Sequence, residues 1–221
     1  DLLKNADLPL DVTGLQGNLS LSLVSTTILD AKNQPKSTDY AVNGVIQDFG
    51  SSTPMQGHTF GNGQLSFVAS QHGYNVSGKA EVDGLPADIF ISGKADANAP
   101  PPEILLSATL NAEELKKMGF DASEFLKGSI KFVAKPMPDS SLQMAVDMTD
   151  ATLTIKDLGI EKAKGVKGEM KASIRQTGDI TEISQVDVAF ADVKLEGGIA
   201  FDMKSNSLQS AEFTTFALSP G

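Results

Sequence analysis

Between residues 140 and 157 the chain reads SSLQMAVDMTDATLTIKD, and apolar residues fall on every second position. Leu142, Met144, Val146 and Met148 stand on one side, with Gln143, Ala145 and Asp147 on the other. After Thr149-Asp150 the beat resumes with Ala151, Leu153 and Ile155, opposed by Thr152, Thr154 and Lys156. A period of two dictates extended strands with one apolar and one wet face. We read the stretch as a hairpin turning at Thr149-Asp150. Its apolar face requires a cover, which a second sheet, a helix, a partner chain or an apolar ligand would supply.

The same alternation runs through most of the chain. It recurs in NLSLSLV (Leu19, Leu21, Leu23), in GQLSFVAS (Leu65, Phe67, Ala69) and in GEMKASIRQ, where Met170, Ala172 and Ile174 oppose Lys171 and Ser173. Asp83-Gly84 divides two further runs and is a strong hairpin dipeptide. Roughly a dozen strands of ordinary length fit. Because sequence neighbours usually pair, the expected class is mostly β: a large antiparallel, curled sheet, either an open groove or sandwich-like.

One segment changes period. In NAEELKKMGFDASEFLKG, Asn111 can cap a first helical turn with Glu114 as the returning carboxylate. Gly119 stops that turn, Asp121 and Glu124 repeat the arrangement, and Gly128 stops it again. One or two short helices are therefore expected near 111–127. The preceding ANAPPPE is the most linker-like composition present, which allows a subdivision into 1–98 and 103–221 within one β-rich segment, residues 1–221. Glycines recur at or just before new runs, at Gly44, Gly78, Gly93, Gly128, Gly168 and Gly198. Two explanations apply: hairpin-end turn chemistry, or a repetitive sheet whose strands bend at one edge.

Composition narrows the chemistry. A net charge of -10 argues against a nucleic-acid partner. The absence of cysteine removes disulfides, thiolate catalysis and thiolate metal sites. His58 and His72 sit singly in turn-like sequence, and no serine lies in a nucleophile-elbow context. Asp147 and Asp150 read as a solvated turn, because no further ligand is spaced to complete a cation site. No catalytic residue, metal site or cofactor is expected, and the chain is read as a non-enzyme. No run of about 18 apolar residues is present. The abrupt start at DLLKN suggests a piece of something longer.

The lysines of KDLGIEKAKGVKGEMK form a local charge reversal. They read as a solvated loop or, alternatively, as a contact for anionic headgroups or an acidic partner through Lys162, Lys164 and Lys167.

The second half resembles the AsmA-like family, in particular its YhdP- and TamB-related branch. The matching pieces are Gly119, Asp121, Leu126 and Gly128 in the short helical element, then Thr149, Asp150, Ala151 and Leu153 in the strand pair. Lys162, Gly165 and Gly168 match the turn, and Gly198, Ile199, Phe201 and Asp202 open a later strand. An aromatic residue common before the turn lysine is replaced by Ile160. The resemblance covers roughly residues 75 to 218.

That resemblance implies a periplasmic segment tied to the inner membrane by an N-terminal anchor outside this sequence. It also implies an apolar β-groove that carries phospholipid between the inner and outer membranes of Gram-negative bacteria, contributing to outer-membrane integrity. The expected lining is Ile130, Phe132, Leu142, Met144, Val146, Met148, Leu153, Ile155, Met170, Ala172 and Ile174, in contact with phospholipid acyl chains. The methionines Met144, Met148, Met170 and Met203 would give that lining a yielding surface. Two alternatives stay open: a structural or adhesive β-sandwich, and an assembly factor for outer-membrane proteins.

Overall fold

The structure is a computed structural model that describes residues 14–53, 58–96, 98–117, 120–156, 159–190, 193–202, 204–205 and 207–218. Gly119 and Met203, both singled out above, lie outside the described residues. The chain is mostly β, every described strand pairing is antiparallel, and the described residues include one short helix. It divides into two compact units, one ending at Ile104 and the other beginning at Leu105.

The first unit is a ladder of β1 (Leu15–Leu29), β2 (Pro35–Ser51), β3 (Phe60–Ser70), β4 (Gly73–Val82) and β5 (Leu85–Gly93), paired in sequence order. Asp83 and Gly84 both take positive φ, 51° and 77°, in the two-residue turn that joins β4 to β5. That backbone matches the twist of the flanking strands, as the dipeptide predicts. His58 clips the same turn: its Nδ1 lies 2.7 Å from Asp83 Oδ2, while Thr59 donates its N–H and hydroxyl to Oδ1.

Gly44, one of the recurrent glycines, has a role other than hairpin-end turn chemistry. Gly44 lies within β2 facing Phe67 of β3, and a Cβ on it would come 2.3 Å from the ring. The phenyl ring occupies the space that the missing side chain leaves, a cross-strand aromatic–glycine pairing.

The second unit contains β6 (Glu103–Asn111, from Leu105 on), α1 (Ala112–Lys117), β7 (Leu126–Pro136), β8 (Leu142–Asp147), β9 (Ala151–Ile155), β10 (Ile160–Lys162), β11 (Gly168–Thr177), β12 (Ile180–Phe190), β13 (Val193–Asp202) and β14 (Ser207–Leu218). Helix α1 begins as its capping box requires. Asn111 Oδ1 accepts the N–H groups of Glu113 and Glu114 at 2.9 and 3.0 Å, and Glu114 accepts the Asn111 N–H at 2.7 Å. The second helical element is a single turn, in which Phe125 and Leu126 both donate to the carbonyl of Ala122.

The expected hairpin at Thr149-Asp150 does not form. β8 and β9 do not pair with each other; they run in the same direction along β7, pairing with Lys131–Pro136 and with Leu126–Gly128 respectively. The reversal comes after β9, and the returning chain pairs as β10 with β9 and as β11 with β8. The order along the main ladder is therefore β6-β7-β8-β11-β12-β13-β14, with β9 and β10 branching from β7. Alternation alone is equally consistent with one interrupted strand or with two that fold back, so periodicity did not choose between them.

Candidate apolar binding face

Register decides which side chains share a face, because residues opposite each other in a ladder project to the same side. In the second unit, one row runs Ala108, Phe132, Val146, Met170, Val188, Leu195 and Phe216, across seven strands. A second row contains Leu106, Ala134, Met144 and Ala172. A third runs Pro136, Leu142, Ile174, Ile183, Ile199 and Ala211. Seven of the residues named from sequence (Phe132, Leu142, Met144, Val146, Met170, Ala172 and Ile174) thus lie in three adjacent rows of one face, and Ile130 extends it opposite Leu110.

One end of this face is sealed. Val146, Met148, Ala151, Leu153, Ile160 and Phe190 are buried together with Ala122 and Leu126 from the turn after α1. Ala112 and Leu115 of the helix pack on the cluster, as do Ile130, Phe132, Met144 and Met170. Met148 and Leu153 accordingly serve as core, covered by protein. Ile155, 37% exposed, lies beyond this cluster at the end of β9. Away from the sealed end, Leu142 and Ile174 are half-buried, while Leu208, Phe213 and Phe216 on β14 are exposed.

The opposite face is polar. Gln143, Ser173, Arg175, Glu182 and Ser184 line a hollow there, and Arg175 is ion-paired with Asp139. The contrast between the two faces is what the alternating pattern demands.

The first unit has the same two-sided character. Its apolar rows are Leu19, Ile46, Leu65, Gly78 and Ile89; then Leu21, Gly44, Phe67, Val76 and Ile91; then Leu23, Val42, Ala69, Tyr74 and Gly93. Sequence reading did not assign these residues to a site, although the alternation in NLSLSLV and GQLSFVAS carried the signal.

The lysines separate. Lys164 and Lys167 are exposed, and Lys167 pairs with Glu169 at 2.8 Å. Lys162 is 1% exposed, which corrects its assignment as a headgroup contact. Its ammonium donates to the carbonyls of Met148, Ala151 and Ala163 at 2.6, 2.8 and 3.3 Å. Burial pushes the amine below its ordinary pKa, and nearby Asp147 and Asp150 pull it back. The signal was available: Lys162 stands two residues after Ile160, hence on the same side of the strand.

Among the described residues, no group of three or more His, Asp or Glu side chains converges as a metal site would require. No family model, curated protein or solved structure matches the chain.

Proposed function

We propose that the chain is a non-enzymatic lipid-carrier segment whose apolar sheet faces hold phospholipid acyl chains in transit between the inner and outer membranes of a Gram-negative cell. In this reading it works in the periplasm, held to the inner membrane by an anchor outside the sequence. The observation that carries the reading is the apolar row from Pro136 to Ala211, on the same face but away from the sealed end. Strands lie ~4.8 Å apart, so a row crossing six of them runs roughly 24 Å. Two opposed acyl tails fill the ~30 Å hydrocarbon core of a bilayer, so such a row exceeds the length of one tail. Each methylene moved from water onto that surface gains ~0.8 kcal/mol, so binding needs little polar recognition. The resemblance to AsmA-like proteins supports the same reading. Lys164 and Lys167 are the lysines of their loop still exposed to a headgroup.

The test is direct. Protein purified from a Gram-negative host is examined by native mass spectrometry, and its uptake of fluorescent phospholipid from vesicles is followed. Co-purified phospholipid, together with saturable uptake, is the expected result. Folded protein that neither carries nor acquires phospholipid overturns the reading.

A further inference from the structure

Among the described residues the side of β1 away from β2 has no partner strand, yet β1 has the composition of an interior strand. Its fifteen residues, LQGNLSLSLVSTTIL, include no Asp, Glu, Lys, Arg or Pro, and the interior strand β3 is likewise without charge. Exposed edges normally carry charge, proline or a bulge that discourages further pairing. In β1 the irregularities fall only between Gln16 and Asn18 and between Ile28 and Leu29, leaving Asn18 to Ile28 regular. Among the described residues β1 pairs with β2 alone. Its leucines show the consequence. Leu19, Leu21 and Leu23 are 49%, 55% and 61% exposed, whereas Leu65 and Ile89, in the same row as Leu19, are 5% and 6% exposed.

The sequence also identifies what fits there. Leu19-Ser20-Leu21-Ser22-Leu23 reads the same in both directions. An antiparallel copy centred on Leu21 sets Leu21 against Leu21, Leu19 against Leu23 and Ser20 against Ser22. Every leucine then meets a leucine on the apolar side, and every serine a serine on the wet side. We propose that two copies of this chain associate through β1, edge to edge about a two-fold axis at Leu21, so that their apolar faces join into one. A two-fold contact of this kind closes on itself and leaves no growing edge at β1. The proposal is independent of what the joined face carries.

Sedimentation equilibrium across a micromolar dilution series tests it, with Leu21→Lys and Leu21→Glu as the variants. The wild type is expected at about twice the monomer mass of 23.2 kDa, and each variant alone at the monomer mass. Mixing the two variants is expected to restore the dimer, because opposite charges then face each other at the two-fold. A second measurement guards against misfolded variants. The chain has no cysteine, so Leu21→Cys introduces a single thiol, which should oxidise to a disulfide-linked dimer. Val24→Cys should not, since its partner in this register is Asn18. A monomeric wild type overturns the proposal, as does a dimer that survives both charge variants or crosslinks equally well through Val24→Cys.

Discussion

The ammonium of Lys162 donates to the carbonyl of Met148 at 2.6 Å, tying together two strands at the level where both break their ladder. On one side the chain leaves β8 at Asp147 and re-enters as β9 at Ala151; on the other it leaves β10 at Lys162 and re-enters as β11 at Gly168. Backbone groups freed by the two breaks need partners. Gly165 donates to the Thr149 carbonyl and Met148 donates to that of Gly168, both at 2.8 Å. The amine supplies the remainder, including the bond to Ala151. Gly168 leaves room for the lysine stem, since a Cβ there would lie 2.6 Å from its Cε.

Replacing this lysine should therefore destabilise the fold. Lys162→Met keeps the apolar stem but withdraws the donor from buried carbonyls, an expected loss of about 1–3 kcal/mol. Lys162→Ala also leaves a cavity, for a total of about 2–4 kcal/mol. Urea unfolding provides the measurement, and a Lys162→Met protein as stable as the wild type contradicts this role.

The contrast between Lys162 and the apolar rows explains what was readable in the sequence. Alternation specifies on which side of its strand a residue lies, so Met144, Val146, Met170 and Ala172 could be grouped without knowing the strand order. The Asn111 cap was equally local, set by residues within one turn. Partner choice is nonlocal. Nothing in the run from Leu142 to Ile155 distinguishes a hairpin from a strand that continues along β7 past a break, and Gly44 shows its role only once Phe67 is placed opposite. Lys162 was misassigned because charge was weighed and its parity with Ile160 was not.

Acid should loosen the sealed end in part through Asp121. Its carboxylate accepts from Lys116 at 2.6 Å and from the Ser123 hydroxyl at 2.6 Å, and these bonds lower its pKa from 3.8 to about 2. A carboxylate whose folded pKa is depressed contributes stability above the unfolded value, and that contribution is lost as pH falls through the folded value. The urea midpoint should thus decline between about pH 4 and pH 2. Asp121→Asn should flatten that decline while leaving its remainder to Asp83, Asp139, Asp147, Glu196 and Asp202, whose pKa values are also lowered. An unchanged slope in the variant refutes the assignment.

The Gly44–Phe67 pairing predicts a coupling. A Cβ at position 44 would meet the ring at 2.3 Å and the Ser20 carbonyl oxygen at 2.9 Å, so Gly44→Ala should cost about 1–3 kcal/mol by overpacking. Removing the ring relieves the first clash. Gly44→Ala combined with Phe67→Ala should therefore lose less stability than the sum of the single changes, a departure measurable in a double-mutant cycle. Strict additivity would mean that the ring does not fill the glycine site.

Met144 and Ile155 should differ in their response to a charge, although the sequence places both in one lining. Met144 lies between Ala134 and Ala172 in the middle row of the apolar face, half-buried and next to the sealed core. Ile155 ends β9 outside that cluster, paired with Ile160, the first residue of β10. A carboxylate at 144 sets an ion in the path of an acyl chain, and hydrocarbon cannot solvate it. Met144→Glu is expected to reduce phospholipid uptake at least tenfold, a loss equivalent to about 1.4 kcal/mol of binding. Ile155→Lys should leave uptake within twofold of the wild type. Circular dichroism on both variants establishes that the strands remain, so that uptake reports on the face alone. Equal losses in the two proteins would show that the acyl chains extend past the sealed end to β9, and equal retention would remove Met144 from the lipid path.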